Sequence, residues 1–140
     1  MRRAALLGDG WFPYMYSPRR YAMSVETIEQ VAKEAERDLS AFHWCAWIFL
    51  NIDPDGDAAR EEAARSMGGT YDQDFRAMVE SVAAAGTPEE VTAKLQAFYD
   101  AGARHFVFHA ASSDPESVLD RLFADVVPGL HEHASASGRR

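Results

Sequence analysis

An α/β fold built on parallel strands is what this sequence predicts, and three observations predict it. Segments of helical periodicity alternate with short apolar runs along most of the 140 residues. One of those runs, Phe42 to Ile52, is apolar nearly throughout, as expected of a strand covered by helices on both faces. Proline-headed helix starts recur at Ser17-Pro18, Thr87-Pro88 and Asp114-Pro115. Strands separated by helices imply right-handed crossovers and therefore parallel pairing.

The elements follow in order. Arg2 to Leu7 reads as a helix, with Gly8 placed to end it in a left-handed cap. Gly10 to Tyr14 reads as a short strand. Ser17-Pro18 opens a helix running to about Arg37, with Tyr21, Val25, Ile28, Ala32 and Ala35 on one apolar face. After the Phe42–Ile52 strand, Asp53-Pro54-Asp55-Gly56-Asp57 is a turn, and a helix runs to Met67. The stretch from Gly68 to Asp72 is expected to break it, and Gln73 to Ala85 to resume as helix. Thr87, Pro88 and Glu90 make a capping box ahead of a helix whose buried stripe is Val91, Leu95 and Phe98 and which Gly102 ends. His105 to Ala110 is expected to be a second buried strand. The last helix starts at Asp114-Pro115 and turns Val118, Leu119, Leu122 and Val126 inward. Three strands result, with two open edges. Residues 135–140 are expected to be a flexible tail after a single domain over 1–134.

Composition narrows the function. A hydrophobic content of 47% with 11% aromatics fits a globular chain and argues against disorder. A net charge of −8 argues against nucleic acid as a partner, since that needs a cationic surface. No apolar run reaches membrane-spanning length, and the two arginines near the start precede too short an apolar stretch for a signal peptide. A single cysteine, Cys45, excludes an internal disulfide and suits a reducing cytoplasm. Within its apolar run it reads as a small buried hydrophobe.

Four motifs carry a resemblance. They are Arg2-Arg3-Ala4-Ala5 with Gly8-Asp9-Gly10-Trp11-Phe12-Pro13, Ser17-Pro18, Ala85-Gly86-Thr87-Pro88-Glu89-Glu90-Val91, and Ala101-Gly102-Ala103-Arg104-His105-Phe106-Val107. In this order and spacing the chain resembles the C-terminal part of the luciferase-like monooxygenases, from residue 2 to about 134. The resemblance implies a partial TIM-type (β/α)₈ barrel, about its last three β/α units, since a complete barrel takes roughly 250 residues. It implies a flavin- or deazaflavin-dependent oxidoreductase or monooxygenase, with reduced FMN or a deazaflavin as cofactor and a small-molecule substrate. A helix running straight into a strand at the first residues leads us to expect that part of the barrel, including much of the cofactor site, has no counterpart in this chain. The alternative is a non-catalytic half-barrel that acts by self-association or by pairing with a chain supplying the other half. Open strand edges lead us to expect a homo-oligomer.

Barrel sites gather at the C-terminal ends of the strands. Gly8, Asp9 and Gly10 precede their strand, so they read as a cap and a tight turn. A phosphate loop would follow a strand instead. Phe12, Tyr14 and Tyr16 lie at or beyond the top of the first strand. Phe12 and Tyr14 are candidate cofactor contacts, although aromatic side chains there pack in a core or rim more often than they bind a ligand. Asn51, polar at the top of an apolar strand, must be satisfied by the following turn or by a ligand. His109, at the top of the last strand, is a candidate proton donor or flavin contact, set against a plain hydrogen-bonded histidine. His105 lies four residues before it, about 13 Å along a strand, too far to share a metal. His131 and His133 read as surface residues. Asp53, Asp55 and Asp57 imitate a calcium loop, but Ala58 and Ala64 stand where its glycine and glutamate are needed. No metal site is expected. Gly68-Gly69, with Tyr71 and Asp72, is either a helix–helix turn or the hinge of a lid.

Overall fold

The central strand is β2, His43–Ile52, and every other strand pairs with it in parallel. The computed structural model of the chain describes residues 1–71 and 76–130. Along these residues the order is α1 (Arg2–Leu7), β1 (Gly10–Trp11), α2 (Pro18–Glu34), β2, α3 (Gly56–Tyr71), α4 (Arg76–Val82), β3 (Ala83–Gly86), α5 (Pro88–Asp100), β4 (His105–Ala110) and α6 (Pro115–Arg121). A π-helical turn, Leu122–Val126, continues α6.

Hydrogen bonds assign the edges of β2. In a parallel strand successive residues bond to opposite edges. The His43 amide donates to Asp9 and the Asp53 amide to Gly86, so β1 and β3 share the edge reached by odd-numbered residues. The Trp44 and Leu50 carbonyls accept from Arg104 and Ala111, which puts β4 on the other edge. The sheet is open.

Side chains of β2 divide the same way. Ala46, Ile48, Leu50 and Ile52 pack with Tyr21 of α2, Val91, Leu95 and Phe98 of α5, and Val118 of α6. Trp47 and Phe49 pack instead with Ala63, Ala64 and Met67 of α3 and Val79 and Val82 of α4. The Tyr21 hydroxyl donates to the Cys45 carbonyl at 3.0 Å, and burial pushes that phenol up.

The sheet has four strands where three were expected. Ala83-Ala84-Ala85, the best helix formers, suggest a continuing helix. Pairing with Phe49–Ile52 overrides that preference, and the small side chains let α3 and α5 approach β3 from its two faces. Helix α3 continues through Gly68 and Gly69 to Tyr71 instead of breaking there. A Cβ at Gly69 would meet nothing within 4 Å, so glycine at that position is not forced by crowding. Asp72, the far end of the expected hinge, lies outside the described residues, as do His131, His133 and the expected tail.

Other corrections are local. Gly8 is extended (φ −91°, ψ 154°) and not left-handed. The end of α1 is capped instead by Arg37, whose guanidinium donates to the Ala5 carbonyl at 2.9 Å and also to those of Ala4 and Gly8. Gly10 is required for another reason: a Cβ there would lie 2.7 Å from the His43 carbonyl oxygen. Strand β1 stops at Trp11. Helix α2 ends at Glu34, leaving Ala35 exposed and burying Ser24 in its place. Leu119 is 41% exposed. Strand β4 is not buried on both faces: only Phe106, Phe108 and Ala110 turn toward the helix-covered core.

The capping box is present as expected. Glu90 donates its amide to Thr87 Oγ1, and its carboxylate accepts from the Thr87 amide at 2.8 Å. We predict that Thr87→Ala lowers stability by about 1 kcal/mol, measurable by urea denaturation.

Candidate functional site

Five rings converge on the face of the sheet opposite α2, α5 and α6. Chain direction explains the convergence. After β1 the backbone turns through Met15 in a left-handed conformation (φ 57°), which costs a non-glycine residue about 1 kcal/mol or more. Met15 itself packs with the α3–α4 cluster, and Tyr14 reaches across β2. Trp47 is the hub. Its ring centroid lies 5.8 Å from Phe12, 5.8 Å from Tyr14 and 6.1 Å from His109, the last nearly parallel at 26°. Phe49 adds edge contacts to Tyr14 at 5.8 Å and to His109 at 5.2 Å. The register pairs Trp47 with Val107 and Phe49 with His109, so all of them project from one side.

This face stays open. Phe12 is 49%, Tyr14 40% and Val107 42% exposed. Beneath it the Trp47 indole N–H is buried and has no hydrogen-bond acceptor among the described residues. Such a donor ordinarily costs about 1–3 kcal/mol, so hydrogen-bonding capacity is left unspent here.

Asn51 lies on the same side of β2 but is sealed in a different cluster. It is 2% exposed and donates to the Ala111 carbonyl at 3.0 Å and to Glu62 Oε2 at 3.1 Å. Glu62, from α3, accepts from the Ser113 hydroxyl at 2.6 Å, the Ser113 amide at 2.8 Å and the Ser112 hydroxyl at 3.2 Å. Those bonds, the Ser113 hydroxyl first, pull its carboxyl down to about 2. Glu62 thereby ties α3 to the loop after β4. An open cleft of about 520 Å³ lies alongside, lined by Glu62, Arg65, Ser66, Ser112 and Ser113.

The structure therefore brings Phe12, Tyr14 and His109 onto one surface, while the Asn51 amide is hydrogen-bonded to Glu62 and to the Ala111 carbonyl. Sequence reading missed Trp47, because a run that is apolar throughout carries no signal of which residues share a face. Glu62 and the two serines carry no motif. Among the described residues, no three ligand-type side chains cluster to hold a metal, and no helix is long and apolar enough to cross a membrane.

The sequence profile of the luciferase-like monooxygenases matches residues 1–75, more than half of the chain. The chain belongs to this family. Among luciferase-like relatives, it is 27% identical over 127 residues to the F420-dependent glucose-6-phosphate dehydrogenase of Gordonia bronchialis, an alignment covering 77% of the chain and 38% of the relative. Its fold matches that of an F420-dependent secondary alcohol dehydrogenase with a TM-score of 0.77 at 22% identity, over 92% of the chain and 45% of that structure. A long-chain alkane monooxygenase matches at 0.65 and 17% identity, over 95% of the chain and 38% of that structure. The chain thus spans about two fifths of the length of the relatives it matches. The open parallel sheet, with α2, α5 and α6 over one face and α3 and α4 against part of the other, is part of a luciferase-like barrel.

Proposed function

We propose that this chain contributes the C-terminal strands of a barrel oxidoreductase that uses a reduced deazaflavin or FMN, and that the Trp47 face receives the cofactor's ring system. The observation that carries the reading is the convergence of Phe12, Tyr14 and His109 on Trp47 with the surface left open. A planar heteroaromatic ring fits such a surface, since offset and edge contacts at 4.5–7 Å are those aromatic groups prefer. The curated relatives named for F420 dependence favour the deazaflavin.

When bound, the reduced cofactor supplies the hydride or the electrons. Phe12, Tyr14 and Trp47 would orient its ring and exclude water from the covered side. A ring nitrogen of His109, the imidazole in contact with Trp47 and Phe49, would hold the proton that moves as charge changes on the substrate. Asn51 and Glu62 hold α3 and the loop after β4 in place.

Titration of the purified chain with F420 and with FMN, followed by cofactor fluorescence, tests this. We expect saturable binding that weakens about tenfold in Trp47→Ala, equivalent to about 1.4 kcal/mol. Absence of binding by either cofactor at about 1 mM, or identical binding by the variant, would overturn the reading.

A further inference from the structure

On the same side of the sheet as Trp47 but at the N-terminal ends of the strands, two histidines meet across β2 and β4. His43 begins β2 and His105 begins β4, and both are exposed. His43 Nδ1 lies 3.4 Å from His105 Nε2, with ring centroids 5.3 Å apart. We propose that this pair binds a divalent transition-metal ion, zinc in the first instance, through those two nitrogens.

The separation supports this. At 3.4 Å the two nitrogens make at best a long N–H···N hydrogen bond whose direction depends on the tautomers. Two nitrogens held at tetrahedral zinc, with bonds of about 2.0–2.1 Å, stand about 3.3–3.4 Å apart. The imidazoles can therefore admit the ion between them with little rearrangement of the backbone. That backbone is fixed beside each ring: the His43 amide donates to Asp9 at 2.9 Å, and the Arg104 amide donates to Trp44 at 2.9 Å. Gly10 packs against the His43 main chain too closely for any larger residue, which further restricts movement. The Arg104 side chain is drawn away to the Tyr99 ring and carbonyl, so that neighbouring charge does not sit over the pair. Imidazole suits zinc, copper and nickel. Among the described residues no third protein ligand is grouped with the two histidines, so water or a ligand from solution would complete the shell. His109 is four residues further along β4, about 13 Å away, and belongs to the other end of the sheet.

The test is calorimetric titration of the chelator-treated chain with zinc chloride. We expect one equivalent bound at the pair, with His43→Ala and His105→Ala each weakening it by at least the 10–100-fold that loss of a mere supporting contact costs a metal site. A His131→Ala/His133→Ala double variant should bind as the parent does. Because both target residues are exposed, the variants should fold, which circular dichroism checks. Independently, imidazole NMR signals of His43 and His105 in the parent should shift on adding zinc while those of His109 stay. Zinc binding that survives either single substitution, that disappears in the tail variant, or that leaves both ring signals unmoved would overturn the proposal.

Discussion

Leu50→Ala is expected to lower the unfolding free energy by about 2–5 kcal/mol. Leu50 is fully buried at the point where β2 pairs with both neighbours, Ala84 on one edge and Ala110 on the other. Its side chain joins the cluster formed with Tyr21, Val91, Leu95 and Phe98. The strand neighbours are alanines with no spare length to fill a hole, and the helices are tied to the sheet by their own contacts. Little collapse is possible, so transfer and cavity costs add. A domain of this size holds only about 5–15 kcal/mol in total, and the midpoint in urea should fall accordingly without a change of slope. Leu7→Ala, at an 81% exposed position, is the control and should stay within about 0.5 kcal/mol. Equal effects from the two would mean that the helix-covered face of β2 is not the core.

Glu62→Gln is expected to cost about 2 kcal/mol at neutral pH and to change the acid limb of the stability curve. Hydrogen bonds to a charged acceptor are each worth about 1.5–3 kcal/mol net, and this carboxylate accepts from Asn51, Ser112 and twice from Ser113. Solvent in the adjoining cleft reduces that sum. Glutamine keeps one acceptor but turns an amide toward donors. The sign follows from the depressed carboxyl: its folded value near 2 lies below the ordinary 4.5. Its contribution is therefore fully present above about pH 4.5 and is lost as pH falls toward 2. Thermal melts between pH 7 and pH 2 should show the parent losing stability through that window and the variant losing less. Parallel curves would remove Glu62 from the account.

Much of this architecture was legible from residues alone, because local chemistry and tertiary packing agree there. The Thr87 box, the Ser17-Pro18 start and the apolar β2 run each specify their element through neighbouring residues, and each stands in the structure. Where the two disagree, packing won. The alanines of β3 prefer helix by propensity and become strand by pairing, and Gly8 looks like a left-handed cap until Arg37, 29 residues later, takes over the helix end. The candidate face shows the same limit. Phe12, Tyr14 and His109 were visible from their places at the ends of strands. Trp47, which holds them together, was hidden in an unpatterned run. The histidine pair was invisible along the chain, since 62 residues separate its members.

The alternation of β2 and β4 puts the proposed cofactor face and the layer under α2, α5 and α6 on opposite sides of the sheet. Trp47, Val107 and His109 occupy one parity on neighbouring strands, and Ile48, Leu50 and Phe108 occupy the other. A combinatorial library randomised only at the exposed Val107 and His109 would vary the surface of β4 while leaving the helix-facing layer intact. A selection for new specificity on this scaffold can therefore sample simultaneous changes at alternate positions of β4 without first requiring a thermostabilised parent.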